Sequence, residues 1–251
     1  MERHPFGGTQ ECAHCGFECA VRDRLPSNFG ARYAYYFGPA KNIAGILRWG
    51  HLAHNYAKKI PWRTDLGDAH RKFMDMRREY WSDVCLYFGY HTATQKTQKA
   101  CPERELVFIK YDADELFMKN GARFSTGNLI SSGTIAFSAE SESESLEQLK
   151  WRLILYEKNT PWHRMDLRTE KAAELVIPHY IEPQAIKSVH VYSEEMKAKL
   201  ETEWNNIRIY DGVYRVLLKE ISEQGVNVTQ RPQTQFVANA PEIHVSKDYY
   251  F

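Results

Sequence analysis

No stretch of roughly 18 consecutive apolar residues occurs in the chain, so nothing in it reads as a membrane-spanning helix. The opening residues, Met1 to Gly8, hold no apolar run of the kind a secretory signal needs, which predicts an intracellular, cytoplasmic protein. Neither sign of charge dominates: 33 Lys+Arg stand against 32 Asp+Glu, a formal net charge of +1. That balance argues against a general coat for polyanions but leaves room for a local basic patch. Cysteine is sparse, at five residues, and an odd count without a signal sequence argues against a disulfide framework. G-x-G-x-x-G after a strand, the P-loop, H-E-x-x-H and G-x-S-x-G are all missing, which argues against Rossmann-type dinucleotide binding and P-loop phosphate chemistry. No internal repeat is evident.

What remains is an ordinary globular composition, 43% apolar and 26% charged over 251 residues. A chain of this length buries roughly three-quarters of its unfolded surface and folds without staples. Aromatic content is the unusual figure, at 13% with 15 Tyr and 6 Trp. Such rings either fill a core or stack on bases, and composition does not choose between the two.

Residues 1–30 read as an irregular N-terminal appendage, and residues 31–251 as the folded domain. The appendage holds Cys12, Cys15 and Cys19, a partial metal pattern. A closed tetrahedral zinc site needs four nitrogen or sulfur ligands, usually drawn from two clusters. The second cluster is missing, so the three cysteines are either free thiols or ligands of a structural zinc completed by His4, His14, Cys85 or Cys101. In the domain, Tyr33–Phe37 reads as an aromatic strand. A helix with Pro39 at its first position follows, with Ile43, Ile46 and Leu47 as its stripe and Gly50 after its end. Asp65 to Tyr80 repeats apolar residues at three and four and reads as the clearest helix. Glu105–Tyr111, Ala172–Ile177 and Ser188–Tyr192 read as strands, and Glu242–Phe251 as a strand-like tail. Ser138–Glu147 is acidic and reads as a solvated loop, with Ser145 and Gln148 capping a helix that carries Leu146, Leu149, Leu153 and Tyr156. Two further helices carry Met196, Leu200 and Trp204, and Val213, Val216, Leu217 and Ile221; Asp211 is the expected cap of the second. Short strands beside separate helices, without βαβ alternation, predict an α+β fold.

One carboxylate stands out. Glu174 opens the otherwise apolar strand Ala172–Ile177, where a side chain faces either solvent or a cleft at the strand's end. Around it the sequence resembles a family. Tyr35-Tyr36-Phe37-Gly38, leading into Asn42-Ile43-Ala44-Gly45-Ile46-Leu47-Arg48-Trp49-Gly50 and Leu52-Ala53-His54-Asn55, is similar to the NAD-binding opening of the DarT-type nucleic-acid ADP-ribosyltransferases. Asp83 to Phe88 resembles a second strand of that family, and Lys171 to Val176 the strand that carries its catalytic glutamate. Lys187–Ser193 and Lys247–Phe251 match further pieces in the same order.

The resemblance implies an ADP-ribosyltransferase-like split β-sheet core with flanking helices and NAD+ as co-substrate. It implies Glu174 as the catalytic carboxylate, and Tyr36, Phe37, Gly38, Asn42, Gly45, Leu52 and Tyr87 around the NAD cleft. Tyr36 stands where the family usually has histidine, and a phenol also donates a hydrogen bond. Gly38 replaces an expected threonine, and Gly89–Thr94 replaces a Pro-Arg-Ser-Pro run tied to base specificity. The family also has an essential arginine between Asn55 and Val84. Taking about 100° per residue, Arg77 lies roughly 60° from the centre of the apolar stripe, at the border where a side chain lines a cleft. Arg71 and Arg78 fall nearly opposite that centre; Arg77 is therefore the first choice and Arg71 the second, against the reading in which all three are solvated surface charge.

The implied substrate is a base of single-stranded nucleic acid, DNA ahead of RNA, because chemistry on a base needs access outside the duplex stack. Residues 41–78 hold nine Lys+Arg against three Asp+Glu, a local excess that suits phosphate contact. The implied biology is a toxin of a toxin–antitoxin or phage-defence module, restrained by a neutralising antitoxin protein. The competing readings are a nucleic-acid-binding module with a dead NAD cleft and, third, transfer to protein.

Overall fold

The computed structural model describes residues 24–61, 78–90, 92, 103–129, 131, 133–155, 169–228 and 241–250. In chain order, strand β1 (Tyr33–Pro39) leads into helix α1 (Ala40–Trp49), the short strand β2 (His51–Leu52) and one turn of helix, α2 (His54–Ala57). Strands β3 (Asp83–Tyr87) and β4 (Leu106–Asp112) follow, then helix α3 (Ala113–Phe117) and strands β5 (Arg123–Ser125) and β6 (Ala136–Ser138). A one-turn helix α4 (Trp151–Ile154) precedes β7 (Glu174–Pro178), β8 (Tyr180–Ile181) and β9 (Ile186–Val191). Helices α5 (Glu194–Asn206) and α6 (Asp211–Ser222) and strand β10 (Glu242–Val245) complete the described elements.

Eight strands form one sheet in the order β10-β9-β4-β1-β3-β7-β5-β6, while β2 pairs with β8. The sheet is two four-stranded halves meeting along a seam. β1 and β4 pair over their whole length, from Tyr33↔Asp112 to Pro39↔Leu106, and β3 and β7 from Asp83↔Pro178 to Tyr87↔Glu174. Between the halves, β1 and β3 share only the pair Tyr35↔Tyr87. This is the expected α+β, split-sheet core. No helix among the described residues is long and apolar enough to cross a membrane.

The first face of the sheet carries the main core and packs against α1, α5 and α6. α1 is not a one-sided surface helix. Beyond the expected Ile43, Ile46 and Leu47, it buries Asn42, Gly45, Arg48 and Trp49, leaving only Lys41 of its ten residues outside the buried class. Arg48 is reached by the carboxylate of Asp211, at 2.9 Å from Nε to Oδ1 and 2.8 Å from Nη2 to Oδ2, and lies between the rings of Trp49 and Trp204. Asp211 therefore does not cap its helix as expected: Tyr210 holds the N-cap position without a side-chain bond, because Asp211 turns to the buried guanidinium. Pro39 also sits one place earlier than expected, as the extended N-cap of α1. Gly50 ends α1 as expected, with φ 93°, and a Cβ there would lie 2.3 Å from the Tyr180 ring.

The acidic stretch is not a free loop. Ser143–Gln148 forms a 3₁₀ turn that buries Ser145 and Leu146. Gln148 does bond Ser145, Nε2 to Oγ at 3.3 Å, yet no continuous helix runs on from it. Leu149 is extended, and the Trp151 indole donates to the Leu146 carbonyl at 2.8 Å, so helical structure resumes only as the single turn α4. The C-terminal tail is a strand only over Glu242–Val245, where it pairs in parallel with β9. Residues 24–30, placed in the appendage by the sequence reading, pack on the domain: Phe29 stacks on Trp151 at 5.4 Å. The helix expected over Asp65–Tyr80 lies outside the described residues except for its end, Arg78–Tyr80, a 3₁₀ turn.

The second face carries a smaller aromatic cluster of Tyr35, Phe37, Tyr87, Phe108, Tyr249 and Tyr250. His190 belongs to this face, bonded to the Ser188 hydroxyl at 2.9 Å and packed on the rings of His244 and Tyr249. Burial, reinforced by Lys110 and His244, lowers its pKa to about 4, with Asp248 opposing.

Two outcomes follow from these contacts. Asp211→Ala removes the carboxylate from the buried Arg48. It should destabilise the protein by on the order of 2 kcal/mol in urea unfolding, below the about 3–5 kcal/mol of a fully buried pair, because Asp211 keeps 26% of its side chain exposed. For His190, the unfolded chain takes up a proton near the ordinary 6.5 while the folded chain resists it until about 4. Its contribution therefore makes stability fall as pH drops from 6.5 toward 4 and level off below. His190→Gln should flatten that slope between about pH 5 and 6.5 in urea midpoints.

Candidate active site at the seam of the sheet

β7 begins with Glu174, and its surroundings explain how a carboxylate is tolerated there. Residue Glu174 is 1% exposed. Its backbone N–H donates to the Ser125 hydroxyl at 3.0 Å, and that hydroxyl donates to the Gly127 carbonyl at 2.6 Å. The segment after β5 thereby folds back over the strand, and the Leu129 backbone N–H donates to Glu174 Oε2 at 3.2 Å. A buried carboxylate is costly unless hydrogen-bonded, so this loop and the strand start form one unit. The sequence alternative of an exposed strand-edge glutamate is excluded by that burial.

Glu174 pairs with Tyr87, and Tyr87 with Tyr35 across the seam. Directly paired residues put their side chains on the same face of a sheet, so Tyr35, Tyr87 and Glu174 form a row on the second face. Phe37, two residues along β1, shares that face and stacks on Tyr87 with ring centroids 5.7 Å apart and an interplanar angle of 13°. Of the residues expected around NAD, Tyr87 is thus paired with Glu174, and Phe37 stacks on Tyr87.

Tyr36 and Gly38 alternate to the opposite face. Tyr36 packs edge-on against His51 at 4.2 Å and, with Asn42 and Leu52, lines a cavity of about 40 Å³ that His51, Ile46 and Tyr214 help to enclose. A Cβ on Gly38 would meet only the Tyr36 ring and Ile43, at 3.6 and 3.7 Å, so a larger side chain is sterically admissible there. Gly45 is buried in α1. The expected NAD residues therefore fall into two sets on either side of β1.

Arg77 and Arg71 lie outside the described residues, as do Cys12, Cys15 and Cys19. Among the described residues no three His, Cys, Asp or Glu side chains gather as a metal site, and Cys85 is half-buried on β3, outside any disulfide. The geometry adds Tyr35, Ser125 and Leu129 to the sequence-derived set. The Tyr35-Tyr36 pair signalled one ring on each face of a strand, but only the register shows which shares the face of Glu174.

A sequence profile described as "ssDNA thymidine ADP-ribosyltransferase, DarT" matches residues 35–216. The chain belongs to the DarT family. The expected class is borne out: it is an NAD-dependent ADP-ribosyltransferase of single-stranded DNA. The fold agrees with that of Thermus sp. 2.9 DarT in complex with ADP-ribosylated ssDNA, at a TM-score of 0.60 and 20% identity over 88% of this chain and 97% of that one. Thermus sp. 2.9 DarT in complex with NAD+ superposes at 0.57 and 18% identity, covering 88% and 98%. Thermosipho africanus DarTG in complex with ADP-ribose gives 0.57 and 18%, covering 69% of this chain and 47% of that chain. No curated protein matches by sequence.

Ser125→Ala strips the acceptor from the buried Glu174 N–H, and such an orphaned group costs about 1–3 kcal/mol. The variant should lose that much stability in urea unfolding and lose transfer activity more steeply than stability, since the same hydroxyl sets the carboxylate's position.

Proposed function

We propose that Glu174 is the catalytic carboxylate for transfer of ADP-ribose from NAD+ to a thymidine base of single-stranded DNA. The observation that carries this reading is the burial of Glu174 in the Tyr35–Tyr87–Glu174 row, on the face where Phe37 and Tyr87 stack. The bond that breaks joins nicotinamide to ribose, and its electron pair leaves on the nicotinamide nitrogen, which becomes neutral. The ribose carbon becomes cationic in the transition state. A carboxylate already fixed beside it stabilises that charge without reorganising, and such preorganised electrostatics is commonly the largest single contribution to catalysis. Glu174 then orients the attacking ring nitrogen of the base and takes or relays its proton.

In this reading Phe37 and Tyr87 bound the nicotinamide end of NAD+, while Tyr36, Gly38, Asn42, Gly45 and Leu52 shape the cleft from the α1 side. Arg77, or else Arg71, holds the diphosphate or assists proton transfer. The residues after β5 that reach Glu174 through Leu129, together with the rest of the run to Thr169, select the acceptor. By its family the chain acts as the toxin of a toxin–antitoxin pair, restrained by a neutralising protein. The match to a DarTG chain, 47% of which is covered, supports that assignment.

Glu174→Gln keeps the size and the Leu129 hydrogen bond but removes the charge. With NAD+ labelled in its adenylate, wild-type protein should label single-stranded DNA in preference to duplex DNA, RNA or bulk protein. The variant should fold with an unchanged circular dichroism spectrum and transfer at least 100-fold more slowly, about 2.7 kcal/mol in the barrier. Undiminished transfer by the variant would remove Glu174 from the mechanism, and label appearing in RNA alone would move the acceptor.

A further inference from the structure

A cavity of about 310 Å³ opens at the seam, between the start of β1 and the exit of β3. It shares none of the residues assigned above to NAD+; Tyr36, Phe37, Gly38, Asn42, Gly45 and Leu52 lie from the middle of β1 through α1 to β2, and Tyr87 on β3 is paired with Tyr35, whereas this cavity opens at the start of β1. Its wall includes Tyr35, so it adjoins the row that ends in Glu174. Two strand spacings, each about 4.8 Å, separate that wall from the catalytic strand.

Tyr35, Tyr90 and Tyr249 form a cup of three rings, with centroids 5.3 Å apart for Tyr35–Tyr90, 4.8 Å for Tyr90–Tyr249 and 6.2 Å for Tyr35–Tyr249. Beside them stand two cations, Arg32 and Lys110. Among the described residues neither has a carboxylate partner. Arg32 is exposed, while Lys110 is half-buried with its Nζ 4.0 Å from the centre of the Tyr33 ring. Burial lowers the Lys110 pKa, the signature of a charge taken from water without an anion beside it. A phosphate would supply that anion.

The cavity is built rigidly. A Cβ on Gly89 would fall 2.2 Å from the Ile154 carbonyl oxygen, so glycine is what lets β3's exit meet the end of α4 and floor the cavity. The same carbonyl accepts from Lys171 Nζ at 3.2 Å, and Leu153's at 3.4 Å. Lys171 is 2% exposed and three residues before Glu174, so the floor and the catalytic strand share one frame.

We propose that this cavity holds a nucleotide of the acceptor strand flanking the modified thymidine, its base against the Tyr35–Tyr90–Tyr249 cup and its phosphate on Lys110 and Arg32. Its volume is at the bottom of the range for small-molecule sites, room for one nucleotide and too little for a dinucleotide. Stacking on tyrosine with a phosphate on a cation is the sequence-tolerant chemistry that single strands use. The proposal rests on the placement of NAD+ and Glu174 given above.

The test is fluorescence anisotropy of the full-length protein with a labelled, thymidine-containing single-stranded oligonucleotide, without NAD+, across a salt series. Lys110→Gln should weaken binding about tenfold and lower the slope of log affinity against log salt by about 0.7, one phosphate's worth on a single strand. Lys110→Arg should restore the slope. Tyr90→Ala, at the half-buried rim, should weaken binding while leaving the slope unchanged. NAD+ affinity of the same variants, read by calorimetry, should stay within about twofold, since about 0.4 kcal/mol separates that from no effect. Unchanged DNA affinity and slope in Lys110→Gln overturns the proposal, as does loss of NAD+ affinity instead, which would make the cavity an adenylate site. Failure of the catalytic reading shows separately, as transfer retained by Glu174→Gln, and leaves this binding experiment unmoved.

Discussion

The two halves of the sheet meet through one residue pair, Tyr35↔Tyr87, and the site depends on that narrow join. A fully zipped sheet would give Glu174 a flat aromatic surface with no entrance. Because β1 and β3 pair at a single level, the sheet holds the Tyr35–Tyr87–Glu174 row in register there and parts on either side. One side carries Phe37 against Tyr87; the other opens into the tyrosine cup and its two cations. The Glu174 row and this cavity are therefore neighbours because of how the strands separate.

Among the described residues, three charges placed in the interior follow one rule. Arg48 is held by both oxygens of Asp211, Lys171 by two helix-end carbonyls, and Glu174 by a backbone N–H from the loop that buries it. Each such group costs several kcal/mol to desolvate unless its partners are fixed, so each one also fixes its partners. Arg48 ties α1 to α6. Lys171 ties α4 to the approach of β7. Glu174 draws the segment after β5 over itself, which couples the geometry of that segment to the carboxylate. Lys110 departs from the rule: it is partly desolvated with no anion among the described residues, and it faces the cavity.

Much of this was legible in the sequence. The strands flanking Glu174 and the α1 stripe were readable because period and residue type agree there, whereas Glu174 was singled out only by the resemblance to the family, whose profile spans the same region. Other features turned on contacts between segments far apart in the chain. Asp211 has the residue type and position of a helix cap, but a buried arginine 163 residues earlier claims it. Leu146, Leu149 and Leu153 have helical spacing, yet the Trp151 indole takes a carbonyl and breaks the run. The acidic segment looked fully solvated because its glutamates outnumber the one leucine that anchors it. Facing is the clearest limit. Tyr35 and Tyr36 are the same residue type, and only the pairing of β1 with β3 assigns Tyr35 to the Glu174 row and Tyr36 to the α1 side.

The account turns on the claim that NAD+ presents its reacting ribose to Glu174 at the seam. The most direct measurement is a crystal structure of Glu174→Gln with NAD+ bound. The prediction is that the ribose carbon bonded to nicotinamide lies beside the residue 174 side chain, with the nicotinamide ring against Phe37 and Tyr87. NAD+ held wholly on the opposite face, among Tyr36, Asn42 and Leu52 and out of reach of residue 174, would contradict it.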